Sequence, residues 1–230
     1  MKNTNQIFYT FLNPYSYLLV RKQEWIAKQF DFFIDGEWLC KFFRVFTATK
    51  PQRVSFDMTS LAPVVFKEAE ERHLSIYLIG SKNDEIAGAV QEFRQAFPRV
   101  KIVGFRDGYV KGIEKEVYAE ICRVSPDIVI AGMGTPFQEQ FLVGLGKFGW
   151  KGTGFTCGGF FHQTAKGINY YPKWVDQWNL RWVYRIYDEP KLFWRYFLDY
   201  PKFVFVFMYD LLFNRWWKEK ILLDIPNEVV

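Results

Sequence analysis

Cysteine and histidine are scarce: Cys40, Cys122 and Cys157 are three thiols, and His73 and His162 two imidazoles, in 230 residues. The cysteines lie far apart and form no C-x-x-C pair, which excludes a disulfide framework and a zinc site and fits a reducing compartment. No cluster of His, Cys and carboxylates has metal-ligand spacing. No window reaches the roughly 20 apolar residues of a spanning helix. The stretch from Met1 to Tyr9 has a single lysine and no apolar run long enough for a signal peptide, so a cytoplasmic location is expected. Net charge is small as well. Thirty Lys and Arg against 25 Asp and Glu give +5, which suits anionic partners such as phosphorylated substrates or an acidic bilayer and is too weak to imply nucleic acid. Neither G-x-G-x-x-G nor G-x-x-x-x-G-K-[ST] occurs.

What the chain has in abundance is rings. Half of its residues are hydrophobic and 24% charged, enough burial to offset ordering entropy and exclude disorder. The aromatic share is 20%, with 25 Phe, 13 Tyr and 9 Trp, more than a core requires. From about Gln6 to Gly159, short apolar runs alternate with amphipathic stretches. Strands are expected at Ser75–Ile79, Val100–Phe105, Asp127–Ala131 and Lys151–Cys157. Helices are expected at Ser60–Arg72, Asp84–Phe97, Ile113–Val124 and Phe137–Phe148, where apolar residues recur at three- and four-residue spacing. Successive βα units predict an α/β fold with a Rossmann-like, mostly parallel sheet covered by helices on both faces.

The composition changes after Pro172, giving a division into a core, 1–172, and a C-terminal helical appendage, 173–230. Trp174, Trp178, Trp182, Tyr184, Tyr187, Trp194, Tyr196 and Phe197 recur at helical spacing among Lys173, Arg181, Arg185, Lys191 and Arg195. Two helices parted near Asp188–Pro190 are expected. The run Phe203–Phe213 is apolar apart from Asp210 and leads into Arg215, Trp216, Trp217, Lys218 and Lys220. Rings flanked by cations favour the headgroup boundary of an anionic membrane. Packing against the sheet, or against a second copy in a homo-oligomer, is the alternative.

Asp127–Phe141, DIVIAGMGTPFQEQF, runs a strand into Gly132, Gly134 and Pro136 and then a helix with Gln138 and Glu139 near its first turn. Backbone N–H groups there can receive a phosphate. The same loop occurs in proteins that bind nothing at it. FDFFIDGE places Asp35 at the C-terminal edge of a strand, where open α/β sheets bind ligands; a carboxylate desolvated by neighbouring rings would make a general base. An Asp-Gly turn is the alternative. His162 follows Gly158 and Gly159 at another strand end and is the better ligand candidate of the two histidines, since His73 sits in a polar stretch near a helix end. No Asp-x-Asp pair is present to hold Mg²⁺ on a nucleotide diphosphate. Protein cations would take over that task, with Arg pairing to pyrophosphate oxygens.

These segments, with Arg53-Val54 and Asp57, GMGTPFQEQF at 132–141, Gly158-Gly159, Pro172–Trp174 and RWVYRIYDEPKLFWRY at 181–196, resemble the WecB/TagA/CpsF glycosyltransferases over about Tyr9 to Phe203. Members move a sugar from a UDP-sugar to a polyprenyl-diphosphate-linked acceptor during bacterial surface polysaccharide synthesis. The resemblance implies a Rossmann-like core, an appendage completing the site at the inner face of the plasma membrane, and inverting transfer with neither metal nor other cofactor. It makes Asp35 the general base. Asn13, Arg53 and Gln138 become substrate contacts, and Arg185, Lys191 and Arg195 face the diphosphate. Gly132, Gly134, Thr135, Glu139, Gly158, Gly159 and His162 are assigned to the nucleotide. Phe137 stands where the family usually has Lys, His162 where many members have Asp, and Phe11 where Thr is frequent. The family's first βα unit looks shortened. These departures keep open a non-catalytic membrane-associated binding module. A nucleotide-dependent oxidoreductase is disfavoured by the missing dinucleotide fingerprint.

Overall fold

A computed structural model describes residues 6–172, 174–175, 178, 180–190, 192–214, 216–218, 220–226 and 229–230. The six strands are β1 (Ile7–Leu12), β2 (Asp31–Ile34), β3 (Ser75–Gly80), β4 (Lys101–Arg106), β5 (Ile128–Gly132) and β6 (Thr153–Thr156). They form one sheet in the order β2-β1-β6-β5-β3-β4, parallel throughout. That order differs from the dinucleotide-binding arrangement.

Side chains alternate strictly between two cores, the period-two signature of a strand buried on both faces. Leu12, Phe32, Ile34, Tyr77, Ile79, Val129 and Ala131 point into one core. Tyr9, Phe33, Ile76, Leu78, Ile128 and Ile130 point into the other. Helices α1 (Pro14–Val20), α2 (Glu24–Gln29), α3 (Glu37–Phe46), α6 (Glu114–Val124) and α7 (Phe137–Phe148) contribute to the first. Helices α4 (Leu61–Glu71), α5 (Asn83–Ala96) and α8 (Phe160–Ala165) contribute to the second. Thus β6 leads into one layer, while its neighbours β1 and β5 lead into the other. The loops diverge on either side of β6 and open a crevice at the C-terminal ends of the strands.

The expected strands and helices between residues 60 and 157 are all present, with shifts of one or two residues at most ends, and α7 has the expected limits. Beyond residue 172 come α9 (Arg181–Asp188), α10 (Leu192–Trp194), a π-helical turn (Arg195–Asp199) and α11 (Tyr200–Phe213). The expected break near Asp188–Pro190 separates α9 from α10. Lys173, Lys191 and Arg215 lie outside the described residues. Among the described residues no helix is long and apolar enough to cross a membrane.

Helix α11 is seated on α1 through Phe203 and Phe207, which meet Tyr17 edge-on and at a tilt, with ring centroids 5.2 and 5.9 Å away. Asp210, which only interrupts an apolar run in the sequence, is fully buried. Its carboxylate accepts from Arg21 Nε at 2.6 Å and from the Tyr17 hydroxyl at 2.9 Å. The chain then returns to the sheet. Phe32 N donates to Lys220 O at 2.7 Å and Leu222 N to Phe32 O at 2.9 Å, so the tail pairs with the outer edge of β2.

Candidate active site

Asp35 is the first residue after β2, and its backbone N–H donates to Leu12 O at 2.7 Å, which fixes it beside the end of β1. At that end Asn13 caps α1. Its Oδ1 accepts from Tyr15 N and Ser16 N, both at 3.0 Å, and Ser16 Oγ accepts from Asn13 N at 2.8 Å, a reciprocal cap that Pro14 pre-organises. Asn13 therefore has a structural task that the sequence pattern N-P-x-S already signals. Its Cβ lies 3.6 Å from where a side chain on Gly36 would begin, so the cap stands directly against the turn carrying Asp35.

The Asp35 carboxyl is one-third exposed, with 33% of its side-chain surface accessible, and its pKa lies above the usual aspartate value. Desolvation is the main cause; Arg53 opposes it, Asp57 adds to it, and Arg185 and Arg181 oppose it in turn. Arg53 Nη2 is 3.5 Å from Asp35 Oδ1 and 3.7 Å from Asp57 Oδ2. Arg181 Nη1 reaches Asp57 Oδ2 at 3.4 Å, with its guanidinium over the Tyr171 ring at 4.8 Å. Arg185, one helical turn on, faces the same centre, and its Nη2 lies 3.3 Å from where a Gly159 side chain would begin. The Tyr171, Tyr196 and Tyr200 phenols are pushed up mainly by burial, with the charge of Asp35 contributing. The result is a half-enclosed, ring-lined centre in which a carboxylate that holds its proton unusually well is surrounded by guanidinium groups.

Under the crevice, the loop after β5 is tied to neighbouring strand ends by buried polar groups. Glu139 is fully buried, and its Oε1 accepts from Thr10 Oγ1 at 2.8 Å, Thr135 Oγ1 at 3.0 Å and Gln138 Nε2 at 3.3 Å. Thr156 Oγ1 in turn donates to Thr10 Oγ1 at 2.8 Å. Burial raises the Glu139 pKa against the lowering effect of those hydrogen bonds. Gln138 is 4% exposed, and its Oε1 accepts from Gly134 N and Gly158 N, both at 3.2 Å. Both ends of its amide are thus used inside the protein, and together Glu139 and Gln138 brace the β5 and β6 loops into a single ledge. Gly134 and Gly158 adopt positive φ, 80° and 56°, and nothing lies within 4 Å of where their side chains would start, which leaves the ledge open to a ligand.

Of the residues singled out from sequence, the fold brings Asn13, Asp35, Arg53, Gly159 and Arg185 to one centre, with Gly132, Gly134, Thr135 and Gly158 along the adjoining ledge. Arg195 lies to one side, over the Tyr15 ring at 3.9 Å. His162 is held between two carboxylates: Nδ1 is 2.8 Å from Glu85 Oε1 and Nε2 3.4 Å from Asp188 Oδ2. Asp188 also receives Tyr170 OH at 2.6 Å and pairs with Lys166, so His162 is part of the junction between α8 and the end of α9. Arg181, Asp57 and Tyr171 were not singled out as site residues. Arg181 stands four residues before Arg185, the spacing that puts both on one helix face, and Asp57 follows Arg53 by the same interval.

The chain that builds this centre is similar over most of its length to proteins of known activity. The family model described as "Glycosyl transferase WecG/TagA/CpsF family" matches residues 1–217. A UDP-Gal:alpha-D-GlcNAc-diphosphoundecaprenol beta-1,4-galactosyltransferase of Shigella boydii is 38% identical over 205 residues, 88% of this chain and 86% of the relative. An N-acetylglucosaminyldiphosphoundecaprenol N-acetyl-beta-D-mannosaminyltransferase of Bacillus subtilis is 34% identical over 143 residues, 60% of this chain and 55% of that protein. Its counterpart in Bacillus spizizenii is 28% identical over 137 residues, 60% of this chain and 52% of that protein. With nearly the whole chain matched, and the carboxylate and guanidinium groups gathered where the sheet opens, the protein belongs to the WecG/TagA/CpsF family and is a glycosyltransferase.

Proposed function

We propose that the protein transfers a sugar from a UDP-sugar to a sugar carried on a polyprenyl diphosphate, by a single inverting displacement that uses no metal. The observation carrying this reading is the Asp35–Arg53–Arg185 cluster at the crevice, in a chain whose relatives act on GlcNAc-diphosphoundecaprenol. Asp35 takes the proton of the acceptor hydroxyl as that oxygen bonds to the anomeric carbon of the donor. The anomeric C–O bond breaks on the opposite face, and its electron pair leaves with UDP. A raised carboxyl pKa suits a base, because it narrows the gap to the hydroxyl it must deprotonate in the transition state. Arg185 meets the charge developing on the diphosphate. The ledge of Gly132, Gly134, Thr135, Gly158 and Gly159 supports the nucleotide.

Purified protein with a GlcNAc-diphosphoryl polyprenol in detergent and a panel of UDP-sugars, EDTA present, tests the reading. Acceptor-dependent UDP release is expected, with UDP-galactose tried first because the Shigella boydii relative uses it. Release that vanishes in EDTA and returns with Mg²⁺ overturns the metal-independent step. No release with any donor overturns the transferase reading.

The same proposal includes a membrane surface. Trp194, Phe197, Leu198, Phe205, Leu212 and Phe213 are all more than 60% exposed along α10, the π turn and α11, while Phe203, Phe207 and Asp210 on the opposite side are buried. Large apolar side chains left exposed along these elements mark an interaction face, and rings with neighbouring cations such as Lys202 suit an anionic bilayer. Flotation with phosphatidylglycerol-containing vesicles is expected to carry the protein. Combined Phe197→Ser, Phe205→Ser and Leu212→Ser is expected to leave it at the bottom of the gradient with its Tm unchanged. A protein that ignores vesicles and sediments as a dimer assigns the face to a second copy.

A further inference from the structure

Next to the Asp35 centre lies a cavity of about 360 Å³ between α8, the loop 57–59 and the segment 168–172. Its walls are Phe160, Tyr171 and other apolar groups, with Gln163, Thr164 and Asn169 supplying polar groups. Gln163 is 9% exposed and Thr164 2%. None of these three side chains has a hydrogen-bond partner among the described residues. A cavity that pairs apolar walls with a few convergent polar groups is the usual make-up of a small-molecule subsite, and this one has it. We infer that this cavity is the subsite for the acceptor sugar, the pyranose that carries the attacking hydroxyl; this assignment rests on the transferase reading above.

Three observations single out that ligand. First, no Lys or Arg lines the cavity and its one ionised group, the carboxylate of Asp57, is already paired with Arg53 and Arg181, so the walls suit a neutral polyhydroxylated ring. Second, Asp57 and Asp35 share a single guanidinium nitrogen of Arg53, at 3.7 and 3.5 Å, so they lie no farther apart than two ion-pair lengths. One sugar ring spans that interval and sets a hydroxyl against Asp35. Uracil is separated from the reacting carbon by a ribose and two phosphates, which carries it beyond that reach and along the Gly134–Gly158 ledge. Third, the wall formed by Tyr170–Pro172 runs on towards Trp174 and Trp178, which are 56% and 74% exposed. Exposed rings that follow the cavity wall so closely in the chain suit a lipid-linked ligand. A donor sugar would have to send its diphosphate back past Asp57.

Two-substrate kinetics on the full chain test the assignment. Gln163→Leu removes a hydrogen-bonding amide from the cavity wall at similar volume, and Asn169→Ala removes another from an exposed loop, where folding is not at stake. Each is expected to raise the KM for the GlcNAc-diphosphoryl polyprenol by about tenfold, the worth of one hydrogen bond to a buried polar group. The dissociation constant of the UDP-sugar, measured by calorimetry without acceptor, is expected to stay constant. A rise in the donor constant equal to that in the acceptor KM gives the cavity to the donor and overturns the proposal. An acceptor KM unmoved in Asn169→Ala and in a folded Gln163→Leu overturns it as well. If the unaltered protein transfers nothing, the transferase reading falls first and the subsite with it.

Discussion

Asp35→Asn is expected to lower kcat by about 10²–10⁴-fold while donor binding and Tm hold. The amide keeps the shape of the side chain but cannot accept a proton from a hydroxyl. The pH dependence follows from the same group. Only the ionised carboxylate acts as base, so activity is present above the Asp35 pKa and lost as pH falls through it. Desolvation holds that pKa above the ordinary aspartate value near 3.9, so the acid limb of kcat/KM is expected at higher pH than an exposed aspartate would give. Arg53→Ala removes the guanidinium that most favours the ionised form, and is expected to move the acid limb further up. An acid limb unmoved by Arg53→Ala, or near-normal turnover in Asp35→Asn, assigns the proton transfer to another group.

The second large effect concerns stability. Asp210→Ala is expected to cost about 3–5 kcal/mol, because it leaves the partly buried Arg21 and the buried Tyr17 hydroxyl without their acceptor. In a chain of this length that lowers Tm by roughly 10 °C, measurable by scanning calorimetry. Asp210→Asn keeps an acceptor oxygen for Tyr17 and is expected to lose less. Because the carboxylate is the polar anchor of α11, hydrogen exchange in Tyr200–Phe213 is expected to accelerate more than exchange in α5. Unchanged exchange in α11 means that the rings alone hold it.

Asp210 also marks where the sequence could be read and where it could not. An acid within Phe203–Phe213 stands out in the sequence, but its partners Tyr17 and Arg21 are nearly two hundred residues earlier, and no local pattern joins them. Helix α7 was legible to the residue because Pro136 and Gly149 frame it with opposite backbone preferences. The position of Asp35 at a strand end was legible from an apolar run closing in Asp-Gly. Its electrostatic setting was not, because Arg53 reaches it through a bridge between Ile34 and Arg53 that only the folded edge creates. The resemblance makes Gln138 a substrate contact; no local pattern signals that its Oε1 accepts from both Gly134 N and Gly158 N, because those two loops are joined only by the fold. The resemblance likewise assigns His162 to the nucleotide, and the carboxylates on either side of it come from α5 and α9, far apart in sequence.

The pairing of the tail with β2 affects how the protein is made. Asp35 follows β2, yet β1 needs β6 as its inner neighbour and β2 needs residues 220–222, nearly two hundred residues later, along its outer edge. Closing contacts between segments far apart in sequence is slow, because loop-closure entropy must be overcome before the contacts form. Until the tail arrives, β2 presents unpaired backbone groups to any passing strand, a hazard for aggregation during synthesis. A nascent chain stalled before residue 220 therefore carries Asp35 beside an open strand edge.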